Sequence, residues 1–329
     1  MPMLLAVDAG GTSTRALLLD HSGRAAGYGR AGGGNPTAAG IEEAVAAIGT
    51  AAERAGASRP IAFGETSSLA LIAMAGEQTA LFGQRVSARL AALGWPRVVL
   101  EHDLLGIFHS GTCVRDGYAL IAGTGSVAAR VVGGSLAQVV GGRGWLLGDA
   151  GGGFWIGHRV ARSVVAALDG QGPPTALTEL VAKAVGISAD PASTAGRART
   201  LRQLVSALYA RRPVSLAEFA PLAFAVGDDP TARSILLDAA SALAGLVDAV
   251  RVPGLDGPVV GGGSVLVRGF LAAQPDLGRQ LTPLPGGAGL VPVSDGVVGA
   301  AVLALRSAGV EVDETVFGTL QGEVARVAR

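Results

Sequence analysis

The chain has 329 residues, 49% of them hydrophobic and 16% charged, and its formal net charge at neutral pH is zero. That composition supports a sizeable core in one large domain or two modest ones, and the balanced charge excludes a basic nucleic-acid face and a polybasic membrane patch. No apolar run reaches the roughly 18 residues of a membrane span, and the short run before Asp8 is no signal peptide. The single cysteine, Cys113, excludes an internal disulfide. A soluble cytoplasmic protein is the expectation.

The predicted elements run in one order twice. Strands over 3–8, 13–19 and 24–30 precede a helix over 37–56, a strand over 59–64, a helix over 77–93, a strand over 97–101 and a helix over 103–113. The order then returns: strands over 118–122, 127–132 and 136–140, a helix over 154–169, a helical block over about 175–251, a strand over 257–260, a helix near 265–273, a strand over 289–292 and a helix over 295–308. The Pro/Gly-rich stretch 275–292 reads as a long surface connection. A repeat of this size means two related domains with a cleft between them. The expected domains are 1–116 and 117–329, with the crossing at Arg115–Tyr118 and the last helix free to return to the first domain. The extra helical block is an insertion and the candidate dimer contact.

Each copy opens on a hairpin with a corner of small residues: "LLAVDAGGTSTRALLLD" at 4–20 and "YALIAGTGSVAARVV" at 118–132. Backbone N–H groups at such corners can point outward together, and small residues let a bulky anion come close. Two corners facing across a cleft would clamp a polyphosphate. Asp8 ends the strand before the first corner, where a carboxylate can hold Mg²⁺ through water. The only lysine is Lys183, so no G-x-x-x-x-G-K-[ST] phosphate loop exists. "GYGRAG" at 27–32 fits G-x-G-x-x-G, but no helix starts on it, so it reads as a strand end and loop. His21, His102, His109 and His158 form no metal-spaced pair and read as surface or packing residues.

The two hairpins resemble the phosphate motifs of the actin-like (ribonuclease H-like) ATPase fold shared by sugar kinases and heat-shock chaperones. "EHDLLG", "VVGGGSV" at 259–265 and "SDGVVGAAVLAL" at 294–305 resemble its first connecting, adenosine and second connecting motifs. Within that fold, "GGRGWLLGDAGGGFWIG" at 141–157 and "GGGNPTAAG" at 32–40 are similar to sugar-contact segments of the N-acetylglucosamine kinases and their BadF-type ATPase relatives. The resemblance implies an α/β fold of duplicated actin-like domains and a kinase that uses ATP and Mg²⁺ on the 6-hydroxyl of an amino sugar, N-acetylglucosamine or glucosamine.

The resemblance also implies roles. Asp103 matches the base that accepts the proton of the 6-hydroxyl. Asn35, Gly144, Trp145 and Asp149 match the sugar pocket. Gly10, Gly11, Thr12, Gly123, Thr124, Gly125 and Ser126 match the phosphate cradle, and Asp8 the metal carboxylate. Gly261, Gly262 and Gly263 match the place of the base and ribose. Two departures bear on the sugar: Ala150 stands where the family carries Glu, and Met74 and Ala75 stand where Ser-Gly-Gly is expected. Rival roles on the same fold are an iron–sulfur dehydratase activator, which needs cluster cysteines this chain lacks, a sugar-sensing regulator, and a chaperone or filament ATPase, for which the 141–157 loop has no purpose.

Overall fold

The computed structural model describes residues 3–56, 68–76, 79–95, 97–187, 193–194, 197–281 and 289–328. The duplication is present in the backbone. Strands β1 (Met3–Ala9), β2 (Thr14–Asp20) and β3 (Ala25–Ala31) form an antiparallel meander. A short helical turn, α1 (Pro36–Ala39), and helix α2 (Ile41–Gly56) follow. Strand β4 (Leu69–Met74) then pairs parallel to β1, and β5 (Arg97–His102) parallel to β4, with α3 (Ala80–Ala92) between them. Helix α4 (Asp103–Gly111) leaves the end of β5. The first sheet has the order β3-β2-β1-β4-β5.

The second half repeats this. Strands β6 (Gly117–Ala122), β7 (Ser126–Val132) and β8 (Ser135–Gly141) form the meander, and α5 (Gly153–Leu168) follows. The insertion holds α6 (Leu177–Ala184), a two-residue hairpin of β9 (Ser193–Thr194) and β10 (Arg197–Ala198), α7 (Arg199–Tyr209), a 3₁₀ turn at Pro213–Phe219, α8 (Ala220–Ala225) and α9 (Pro230–Val250). Strand β11 (Val259–Gly262) pairs parallel to β6, and β12 (Val291–Pro292) parallel to β11, giving the order β12-β11-β6-β7-β8. A π-helix (Val265–Ala273), helix α10 (Pro275–Gly278), α11 (Val297–Ser307) and α12 (Glu314–Val327) complete the chain. No helix among the described residues is long and apolar enough to cross a membrane.

Four expectations need correction or comment. The strand expected at 59–64 lies outside the described residues. β4, which the pattern does not announce, is buried on both faces, so its residues LALIAM show no alternation to read. The 275–292 stretch is no plain surface connection: Leu277 and Leu281 are buried in the second core. Helix α12 was missed, although Asp313 caps it by accepting from the Val316 N–H at 2.9 Å and its buried Phe317 and Leu320 follow helical spacing. It lies on the edge strand β3, where Glu323 accepts from the Ala25 N–H at 2.9 Å and Arg326 donates to the Ala25 carbonyl at 3.1 Å.

The two connecting helices join the halves. α4 packs on β11 and β6 of the second sheet, while α11 packs on β1 and β4 of the first. α11 is buried on nearly every face, as a helix between two layers must be. The helices cross at two glycines: a Cβ on Gly299 would lie 1.8 Å from the Gly106 carbonyl oxygen. The Gly299 N–H, unpaired within the first turn of α11, is satisfied by the Ser110 hydroxyl of α4 at 2.8 Å.

Candidate active site

Asp8 closes β1 directly opposite Arg15 in the β1–β2 ladder. Its buried carboxylate accepts from the Gly296 N–H at 3.1 Å, at the start of α11, and Arg15 lies 3.6 Å away. The same Arg15 reaches Asp295 at 3.3 Å, and Asp295 also accepts from the Val297 N–H. A residue of the first half thus helps cap a helix of the second. Burial, and then the charge of Asp295, push the Asp8 carboxyl up to about 6, against the Gly296 N–H and Arg15.

Asp103 is the first residue of α4, at the C-terminal end of β5. Burial, and then the charge of Asp8, push it up to about 7, while the N–H groups of the first turn pull the other way. The sequence points to Asp8, Asp103 and, as the symmetry partner of Asp103, Asp295 one by one; the fold couples them with Arg15 into one four-membered charge cluster beside the first corner. Arg15 could have been found, since closing the hairpin on residues 10–13 sets it opposite Asp8.

Around that corner, the Gly10 N–H bonds to the Ser13 carbonyl at 3.0 Å, and Gly11 and Thr12 are exposed. The Gly34 N–H ties the Asn35 segment to the Gly10 carbonyl at 2.9 Å. Asn35 caps α1 by accepting from the Thr37 N–H at 2.9 Å. Gly76 abuts its amide so closely that a Cβ there would lie 2.5 Å from Oδ1. The neighbouring departure, Met74, is fully buried in the first core and makes no pocket wall.

The second corner is held by the 141–153 loop. The Gly153 and Phe154 N–H groups donate to the Gly123 and Thr124 carbonyls at 2.8 and 3.0 Å, and the Ser126 hydroxyl donates to the Ala150 carbonyl at 2.8 Å. Asp149 rests on the corner itself: a Cβ on Gly125 would lie 2.1 Å from its Oδ2. It is also the one non-glycine residue with positive φ, 58°, among those described, a conformation that costs about 1 kcal/mol. Burial raises its carboxyl above the usual range, opposed by backbone N–H groups of Gly144, Arg143 and Ser126. Trp145 is 41% exposed and stands against Phe154, ring centroids 5.1 Å apart; Gly144 beside it is exposed. The structure therefore gathers Asn35 and Asp103 around the first corner and Gly144, Trp145 and Asp149 around the second.

The three glycines at 261–263 part company. Gly261 and Gly262 are buried in β11, their vacant Cβ positions filled by Leu266 and Leu290 and by Ile107. Gly263 turns with φ +95° onto the second corner, where a Cβ would meet the Ala122 carbonyl at 2.3 Å. The space beyond is a cavity of about 560 Å³ running from Gly123 and Thr124 between α8 and the π-helix, bordered by Ala220, Phe224, Ser264 and Arg268. Sequence reasoning missed those last four, which meet only when the insertion folds back on the π-helix.

Comparison with known proteins follows the same lines. The profile of the BadF/BadG/BcrA/BcrD ATPase family matches residues 5–304. The N-acetyl-D-glucosamine kinase of Dictyostelium discoideum is 31% identical over 221 residues, 63% of this chain and 65% of that one. The glucosamine kinase GspK of Vibrio cholerae is 28% identical over 182 residues, 55% of this chain and 60% of that one. The match thus spans less than two-thirds of the length of either curated relative. A solved chain from Chromobacterium violaceum, 24% identical, has the same fold over 93% of this chain and 99% of its own, with a TM-score of 0.66. The architecture is the two-domain actin-like ATPase fold.

Proposed function

Because the chain belongs to the BadF/BadG/BcrA/BcrD ATPase family, we propose that it is an ATP-dependent kinase acting on the 6-hydroxyl of an amino sugar, N-acetylglucosamine foremost. The observation that carries this reading is Asp103, a half-buried carboxyl at a helix start beside Asp8, pushed up to about 7. A general base is most effective when its pKa lies near the working pH. The family match supports ATP use, and the two curated relatives support an amino sugar as acceptor.

In this reading Asp103 accepts the proton of the 6-hydroxyl as that oxygen attacks the γ-phosphorus, and ADP leaves with the electron pair of the broken bond. Transfer of this kind rests on in-line positioning and charge neutralisation. Asn35 and Asp149 hold ring hydroxyls, with Trp145 and Gly144 as a wall. The exposed Gly11 and Thr12 meet the phosphates from one side, and Gly123, Thr124, Gly125 and Ser126 from the other. Mg²⁺ suits the donor set. No group of three His, Cys, Asp or Glu forms a cage among the described residues, and Mg²⁺ prefers one or two carboxylates with water and substrate phosphates. Asp8, whose charged form is disfavoured by burial and by Asp295, would be relieved by a cation. When bound, Mg²⁺ supplies charge neutralisation on the phosphate oxygens. The two bodies that would close on the sugar are 1–116 and 117–329, with α12 of the second half lying on the first.

One departure favours a second reading. Met74 and Ala75 stand where Ser-Gly-Gly is expected near the N-acetyl group of the sugar, which fits the free amine of glucosamine. A panel of hexoses and amino sugars with ATP and Mg²⁺, scored by ADP release with NMR of the product, ranks the two. Sugar-dependent ADP release with N-acetylglucosamine or glucosamine, giving the 6-phosphate, is expected. ADP release indifferent to every sugar would overturn the kinase reading.

A further inference from the structure

The cavity behind the second corner has an unusual polar lining. Its walls are apolar: Ala217, Ala220 and the ring of Phe224 on one side, and Val265, Gly269 and Ala273 of the π-helix on the other. That ring lies so close to the π-helix that a Cβ on Gly269 would meet its Cζ at 2.5 Å, and Phe270 supports it edge-on at 5.1 Å. The polar residues that line the cavity are Thr124, Ser264 and Arg268. No carboxylate or amide side chain lines it among the described residues. Arg268 is exposed at the cavity edge, and no ion pair or hydrogen bond engages it among the described residues.

A guanidinium offers donors only, in a fixed fork. Adenine shows one donor and one acceptor along its N6/N7 edge. Guanine and hypoxanthine show two adjacent acceptors, O6 and N7, which a guanidinium meets with both arms. The phosphate corner at Gly123–Thr124 opens into the same cavity, so a nucleotide whose phosphates lie on the corner places its base here. We infer that Arg268 sets the base preference of this pocket and that the protein takes 6-oxopurine nucleotides, guanosine or inosine, at least as well as adenosine. The inference rests on the reading above only in taking the cavity as the place of the base; it needs no particular sugar.

Calorimetric titration of the whole protein with ADP, GDP and IDP in Mg²⁺, without sugar, tests it. GDP and IDP are expected to bind at least as tightly as ADP. In Arg268→Ala, and in Arg268→Lys, which keeps the charge but loses the fork, GDP should weaken roughly tenfold relative to ADP, the scale of one bidentate pair. ADP binding about tenfold or more tighter than GDP to the unaltered protein would overturn the inference. So would equal weakening of ADP and GDP in Arg268→Ala, which would mean a contact to phosphate. Base-tolerant binding without sugar phosphorylation would sustain the inference and sink the kinase reading; sugar phosphorylation with strict adenine selection would do the reverse.

Discussion

At the scale of single residues, the cluster of Asp8, Arg15, Asp103 and Asp295 sorts two carboxylates into different roles by environment. Among the described residues no cation pairs with Asp103, and burial and Asp8 raise its carboxyl. Asp295 is paired with Arg15 and spends an oxygen on the start of α11. Asp103→Asn keeps size and hydrogen bonding while removing the base, so turnover should fall at least roughly a hundredfold, with nucleotide affinity little changed in a binding titration. Asp295→Asn should lower the melting temperature or nucleotide affinity and leave turnover at saturation closer to the unaltered rate. The pH dependence follows from the direction of the shift. A carboxyl raised to about 7 is protonated below that value, so kcat/KM should rise with pH through about 7 and level above it. Stability runs the opposite way. The folded state holds this proton more tightly than the unfolded chain, so the contribution is present at low pH and lost as pH rises through about 7. Asp103→Asn should therefore melt higher than the unaltered protein at pH 8, with the gap closing near pH 4. A variant that is inactive and also less stable at pH 8 would mean that Asp103 is a structural residue.

At the scale of elements, the crossing of α4 and α11 carries the contact between the halves. Gly106 and Gly299 let two helix backbones touch, and Ser110 satisfies the Gly299 N–H that the helix start leaves over. A methyl at 299 has nowhere to go, since the obstacle is backbone rather than a flexible side chain. Gly299→Ala should cost about 1–3 kcal/mol, the usual range for overpacking, measured by denaturant unfolding. Gly322→Ala, where a Cβ meets nothing within 4 Å on the exposed face of α12, is the matched control and should be neutral or slightly stabilising. Equal effects at both sites would show that the crossing tolerates separation.

At the scale of the whole molecule, the proposed sugar contacts divide between the two corners, and the halves meet through the α4–α11 crossing and the segment leading into β6. Such a joint permits hinge closure, and a kinase needs closure to keep water from the phosphate. Small-angle scattering should show a smaller radius of gyration with saturating amino sugar and nucleotide than with either buffer alone or an unreactive hexose. No contraction under both ligands would count against closure on the sugar.

What the sequence by itself determined is the repeated part. Two glycine-cornered hairpins, the order of strands and helices, Asp8 before one corner and Asp103 after a strand are all local signals, because strand, turn and helix-start chemistry act over a few residues. β4 escaped because burial on both faces erases alternation, and α12 because only Phe317 and Leu320 mark its buried face. Only the tertiary structure decided which charges meet. Asp8 and Asp295 are 287 positions apart in the chain, yet share Arg15, and the raised proton affinity of Asp8 comes from burial and proximity that no spacing encodes. The same holds for the cavity at Arg268 and for the packing of Gly261 and Gly262: close packing between distant segments, rather than local propensity, chose which glycines border the cavity and which make room for Leu266, Leu290 and Ile107.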